Sequence, residues 1–244
     1  MNGPVALEYI QQVLEILKWG NTGPWRNVPV EEKGVVFSMT FIRKVQVMYL
    51  DYYTTSHADD PGHHNTFPLS KLREEAEELI TELQSVELPS ESTPSHLLAF
   101  YIYPLGHAFA ALGFYHAHMI ELVQPPIADI IALHLRMAAD LYLKAADTFP
   151  VDDELHPYFL SCAVNYSFKC GTPIKDILPL MERIRKSIPE TKKIWEHSGT
   201  YSRLQKTLDN TLRIEDQMRE SLRKGEFTLE DAVIPQLLPE DGKP

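Results

Sequence analysis

AADLYLKAADTFP, residues 138–150, decides the fold: Ala138, Tyr142 and Ala145 recur at intervals of four and three, which puts all three on one stripe of a helix. Ala138 and Ala145 are small enough to let a second helix approach closely, and Tyr142 between them supplies area to bury. Pro150 then forbids the helix from continuing. The stretch therefore asks for a helical neighbour and a turn.

The flanking segments offer such neighbours. Upstream, an apolar helix is expected over about 96–123, broken at Pro125-Pro126, and the quoted stretch closes a second helix over about 127–149. Downstream, a third over about 154–170 ends at Gly171, and a fourth over about 174–187 ends before Pro189. These make two successive hairpins whose proline stops, Pro150 and Pro189, stand 39 residues apart. At the amino-terminal side, Ala6, Ile10, Val13, Leu14 and Leu17 mark an amphipathic helix ending near Gly20, and Pro29 with Glu31 and Glu32 marks the start of another. Residues 35–53 alternate like a strand at first, but their continuous apolar run predicts a long, mostly buried helix. A polar loop over 54–68, a clean amphipathic helix over about 69–86 and a linker over 87–95 follow. Beyond 190, residues 202–224 predict a helix lying over the end of the stack, and Thr228-x-x-Asp231 a capping box for one short helix more. The expected fold is all-α with eight to nine helices. It comprises an amino-terminal lobe (1–88), a double hairpin (95–190) and a carboxy-terminal helix and tail (191–244), packed as one compact unit.

Composition limits the function. In 244 residues, 34 acidic against 23 basic side chains give a formal charge of −11, which repels nucleic acid and anionic lipid. The densest basic run, 183–193, contains Glu190 and Pro189 and reads as a solvated helix face. No secretion signal opens the chain, and no uninterrupted apolar run reaches the ~18 residues of a membrane span. Cys162 and Cys170 lie about 12 Å apart along one helix and should not pair. A cytoplasmic location and no membrane partner are the expectations.

Two further patterns carry a resemblance. Phe109-x2-Leu112-Gly113-x2-His116, with the Ala138–Pro150 set after it, looks like the two halves of a tetratricopeptide repeat, and Phe159-x2-Cys162-Ala163-x2-Tyr166 resembles the first half again. The chain thus resembles a tetratricopeptide-like helical protein over roughly residues 95–190, with about a dozen extra residues between halves and histidine in a tyrosine position. Residues 138–160 and 188–198 also resemble a group of small helical proteins of mushroom-forming fungi, a likeness that implies no activity. What the tetratricopeptide resemblance implies is stacked hairpins and a concave face that holds a peptide or partner protein.

Ten histidines invite a metal reading that helix geometry restricts. His96, His107 and His118 recur every eleven residues on one helix face, but each step rises about 16 Å, so they cannot share an ion. His116 and His118 point to different sides, and a site would need His134 or Glu121 from elsewhere. His57, His63 and His64, with Asp59 and Asp60, carry donors suited to zinc, yet their spacing matches no known site and a solvated loop is the expected reading. His156 beside Asp152, Asp153 and Glu154 could serve as an acid or base, although helix capping uses the same residues. No nucleophile elbow, phosphate-binding glycine loop or dinucleotide fingerprint occurs, and no cofactor is expected.

Tyr103, His107, Phe114 and His118 share one face of the helix over 96–123, a mix of aromatic area and polar tips that could line a ligand groove or could be interface packing. The expected function is a protein- or peptide-binding interaction protein using that face. The alternatives are a small-molecule enzyme drawing on His107, His118, His134 or Glu121, and a self-associating homo-oligomer.

Overall fold

A computed structural model describes residues 3–22, 25, 27–59 and 67–233, with nothing said of the side chains of residues 3, 4, 30, 58 and 59. The fold is all-α: eight helices of fifteen residues or more, two of a single turn, and no named strand among the described residues. The chain divides into two compact units, residues 1–115 and 116–244.

The first unit is built around α3 (Met39–Asp59), which packs against α1 (Gly3–Trp19) and α4 (Leu69–Ser85). Leu7, Leu14 and Leu17 of α1 meet a core with Ile42, Tyr49, Leu50 and Tyr53 of α3 and Leu72, Ala76 and Leu79 of α4. Val13, expected inside, is exposed, and Leu7 is buried instead. α1 gives way to Gly20, where the chain passes close to Phe37 and a β-carbon would collide with its ring. α2 (Val30–Lys33) is the short helix expected after Pro29.

The helix expected over 35–53 is displaced. Gly34, at φ 94°, breaks the backbone into a 3-10 turn, Val35–Phe37, and Ser38 Oγ then accepts from Phe41 N at 3.3 Å to start α3. Val35, Val36, Phe41 and Met48 are exposed rather than buried. At its other end α3 runs to Asp59, so the first residues of the expected loop are helical and His57 is buried.

A second helical run starts where Thr93 Oγ1 accepts from His96 N at 3.3 Å with Pro94 at the first helical position. It passes through α5 (Pro94–Leu97), a π-helical stretch, Leu98–Ile102, and α6 (Tyr103–Leu122). The wide turn has a covalent cause. Pro104 has no N–H to offer the Phe100 carbonyl four residues back. Arg43 of α3 takes that carbonyl instead, donating from Nη1 at 3.1 Å. Arg43 is almost fully buried, holds both oxygens of Glu82 on α4 (2.9 and 2.6 Å) and lies over the Tyr101 ring at 4.4 Å. By length and composition Pro94–Leu122 could also cross a membrane, a test that the core helix of a soluble protein passes too; its histidines, tyrosines and Pro104 hide this from a search for an unbroken apolar run.

In the second unit α8 (Leu155–Lys169) packs against α7 (Ala128–Thr148), α9 (Ile174–Trp195) and α10 (Gly199–Lys224). The opening stretch behaves as its spacing requires: Ala138 and Ala145 have no exposed surface, and Tyr142 stacks on Phe159 (6.0 Å) and Tyr166 (5.6 Å) of α8. α8 closes at Gly171, whose φ of 75° suits a residue without a β-carbon. Pro189 does not stop α9, nor does Pro179. The helix continues to Trp195 because residues beyond the proline are anchored on the α7–α8 connection: Thr191 Oγ1 donates to Asp153 O (3.5 Å) and Trp195 Nε1 to Asp152 O (3.0 Å).

α10 begins at a Ser198 cap and is joined to α9 by Glu215, fully buried, which accepts from Arg185 and Arg219, each at 2.8 Å. The final expected helix is instead a turn. Thr228 N donates to Asp231 Oδ2 at 2.7 Å, while the Asp231 and Leu229 carbonyls accept from Ile174 N and Lys175 N (3.0 and 2.9 Å). That turn satisfies the amides at the start of α9 that have no partner within the helix and that no side chain caps.

The Arg43 arrangement predicts that Arg43→Ala, which strands the Phe100 carbonyl and the Glu82 carboxylate, lowers stability by about 3 kcal/mol. Arg43→Lys should recover little, since a lysine cannot hold a carboxylate through two nitrogens and reach a carbonyl as well. Chemical denaturation followed by circular dichroism measures both, with Lys71→Ala, whose exposed pair with Glu74 contributes little, as the reference.

Candidate functional site

The four residues of the expected face all lie on α6 and have different neighbours. Tyr103 opens α6 half-buried. His107 Nδ1 lies 2.9 Å from Asp51 Oδ1, and Phe114 meets the His57 ring edge-on at 5.5 Å, so both spend contacts on α3. His118 belongs to the second unit, with Nδ1 3.6 Å from Glu121 Oε1 one turn on. Of the loop histidines, His57 is on α3, while His63 and His64 lie outside the described residues. His116 and His134 do meet, Nδ1 to Nδ1 at 2.9 Å, so one nitrogen donates and the other accepts. Among the described residues no group of three or more histidine, cysteine, aspartate or glutamate side chains is placed to hold a metal ion.

A better-formed concavity lies between α8 and α10, with a volume of about 380 Å³. Its floor is Cys162, Phe168, Thr211 and Ile214, and its rim carries Asn165 and Lys169 from α8 and Thr207 and Asn210 from α10. On the floor, hydroxyls are already spent on their own helices: Ser161 Oγ donates to Pro157 O (3.0 Å) and Thr211 Oγ1 to Thr207 O (3.0 Å). The rim differs. Among the described residues nothing hydrogen-bonds the Asn165 carboxamide or the Thr207 hydroxyl, and Asn210 only accepts, from Arg213 Nη2 at 2.9 Å, which leaves its NH2 group to give. Lys169 Nζ stands over the Tyr166 ring at 4.9 Å.

The electrostatics of the floor leave its thiol unreactive. Burial pushes the Cys162 thiol up to about 12, only partly offset by its hydrogen bond with Tyr158, so no thiolate forms at neutral pH. In the α7–α8 seam, burial also raises Tyr166 to about 12 and Tyr142 well above its usual value. A larger depression, about 590 Å³, runs along α10, but its walls are side chains of that helix and Glu226 alone, with charges of both signs, so it is a furrow in a solvated surface.

Spacing could have located the groove. Ser161, Asn165 and Lys169 recur every four residues on a helix otherwise rich in apolar side chains, and Thr207, Asn210, Thr211 and Ile214 make one face of α10. The signal lay in two helices at once, and their facing needed the fold. Comparison with known proteins yields no matching family model, curated protein or solved structure.

His156, weighed as an acid or base, is buried, and its Nδ1–H donates to Ala146 O at 2.8 Å. Asp153 serves the start of α8, accepting from Leu155 N at 2.9 Å. Burial holds the His156 pKa below its usual value, and nearby Arg183 adds to this, against the opposing effect of the Ala146 bond. The unfolded chain therefore takes up a proton that the folded one refuses. Stability should be constant above the ordinary histidine range near pH 6.5 and fall as pH drops from there towards the lower folded value. A His156→Gln variant, compared with the wild type by thermal unfolding at pH 5.0 to 7.5, should show a shallower decline.

Proposed function

We propose that the protein is an interaction module that holds a peptide segment of a partner protein in the α8–α10 groove. The observation that carries this reading is the unspent hydrogen-bonding capacity of Asn165, Thr207 and Asn210 on both banks of an apolar floor. An extended peptide presents a donor and an acceptor at every residue, and carboxamides, which can both give and accept, suit that backbone. Side chains of the peptide would enter against Phe168 and Ile214. The packing of α8 on α9 supports reading that pair as one tetratricopeptide-like hairpin, with α7 against α8 and α10 as the flanking helix that closes the groove. Cys162 and Cys170 are both free, which suits a reducing, cytoplasmic setting.

The rival reading, a small-molecule enzyme, has one observation in its favour: His116 and His134 share a hydrogen bond. It requires a bound ligand or metal beside that pair. Elemental analysis and native mass spectrometry of the purified chain would reveal one.

The binding reading is tested by selecting peptides from a displayed random library on the full chain. Selected peptides should bind an Asn165→Ala, Asn210→Ala double variant about tenfold or more weakly, the equivalent of one or two hydrogen bonds lost, with unfolding temperature unchanged. Equal affinity for the double variant would place binding elsewhere.

A further inference from the structure

α1 is apolar on more of its circumference than the protein uses. Leu7, Leu14 and Leu17 face α3 and are buried, but Val5, Tyr9, Val13, Ile16 and Trp19 are 44, 60, 45, 61 and 63% exposed. At 100° per residue these five fall within an arc of about 120°, a stripe about 21 Å long beside rather than on the buried face, with the exposed Gln12 the one polar residue inside it. Trp25, itself 46% exposed, extends the stripe with its ring 6.1 Å from that of Trp19. Together they present on the order of 600 Å² of apolar surface, at the upper end of what isolated soluble proteins leave uncovered.

The border of the stripe is acidic. Glu8 and Glu15 lie along one flank, neither in an ion pair among the described residues, while Lys18 is committed to Glu75 and Glu78 of α4 at 2.7 and 2.6 Å. α1 and α4 together carry seven glutamates against three basic residues. That field is felt inside the unit, where Glu75, Glu15 and Glu74 add to burial in raising the Tyr49 phenol. A shallow depression beside Ile16 and Trp19 is walled by Gln12 and Glu15. A guanidinium seated there could lie on the Trp19 ring and reach Glu15.

We propose that this face of α1 docks an amphipathic helix of a partner protein, with an apolar stripe of about four turns bordered by arginine or lysine. Charge selects this occupant over the others. In a two-fold antiparallel pairing with a second copy, the same flank of each α1 faces its equivalent, so Glu8 and Glu15 would meet glutamates, between chains that each carry a charge of −11. Anionic lipid is opposed by the same charges. A basic-bordered helix gains both burial and ion pairs, in the manner of helix-in-groove recognition. This face lies in the first unit and stands or falls independently of the α8–α10 groove.

The test uses the full chain and two synthetic 18-residue helix-forming peptides with leucines at the stripe spacing, one flanked by arginines and the other by glutamates. Calorimetry should show the arginine peptide binding about tenfold or more tightly than the glutamate peptide, and weakening several-fold between about 50 and 300 mM salt. A Tyr9→Ser, Ile16→Ser, Trp19→Ser variant alters only exposed positions and should keep its helix content yet lose the binding. Glu8→Lys with Glu15→Lys should reverse the preference. The proposal is overturned if neither peptide binds, if both bind alike, or if the triple variant binds as well as the wild type. It is equally overturned if that variant abolishes a dimer seen in sedimentation, which would make a second copy the occupant, or abolishes binding to neutral phosphatidylcholine vesicles. Protection of the Trp19 indole from iodide in the free chain would show the face to be covered already, and would overturn it too.

Discussion

One missing hydrogen atom organises the first unit. Because Pro104 has no N–H, the helix beginning at Pro94 cannot close its ladder at Phe100, and it widens into a π-helical stretch around the gap. The free carbonyl would be costly if enclosed without a donor. Arg43 supplies the donor, and its remaining nitrogens require a carboxylate, which Glu82 provides from α4. Three segments distant in sequence are thus fixed by the demands of one guanidinium, whose five donors in a rigid fork satisfy a carbonyl and a carboxylate at once. Apolar contacts between α1, α3 and α4 could form in several registers. The Arg43 arrangement admits few.

The second unit relies on shape. Ala138 and Ala145 remove side-chain bulk from α7, α8 comes close, and Tyr142 fills the seam by stacking between Phe159 and Tyr166. The buried His156, bonded across this seam to Ala146 O, was not legible in the sequence. The apolar part of the seam was, as a period of three and four, small residues, one aromatic and a proline. The same holds for α4, whose apolar face is regular, and for α8 up to Gly171. Where the pattern was local, sequence sufficed.

It failed where the outcome was set at a distance. Pro189 has the same chemistry as Pro150, yet one ends a helix and the other sits inside one. The difference is Thr191 and Trp195, which bind carbonyls of the α7–α8 connection and hold the chain helical beyond the lost hydrogen bond. Val35 and Val36 look like core and are exposed because Gly34 turns the chain before α3 begins. His57 looks like a loop ligand and is buried because α3 runs to Asp59, nearly two turns further than its composition suggests. Each reversal comes from a tertiary contact or a backbone angle that no window of neighbouring residues contains.

The candidate sites follow the same division. Tyr103, His107 and Phe114 stood out because histidine and aromatics are conspicuous on an apolar helix, and conspicuous residues are often those that the fold consumes: His107 on Asp51, Phe114 on His57. Asn165 and Thr207 are inconspicuous in sequence, and among the described residues nothing hydrogen-bonds their side chains. Capacity for binding is what folding leaves over, and it appears only when the internal accounts of donors, acceptors and apolar area have been closed. By that criterion the rim between α8 and α10 and the outer stripe of α1 differ in kind. The first holds surplus hydrogen bonds over a small apolar floor and suits a backbone. The second holds surplus apolar area with an acidic border and suits the side of another helix, so the two faces select different partners by physics alone.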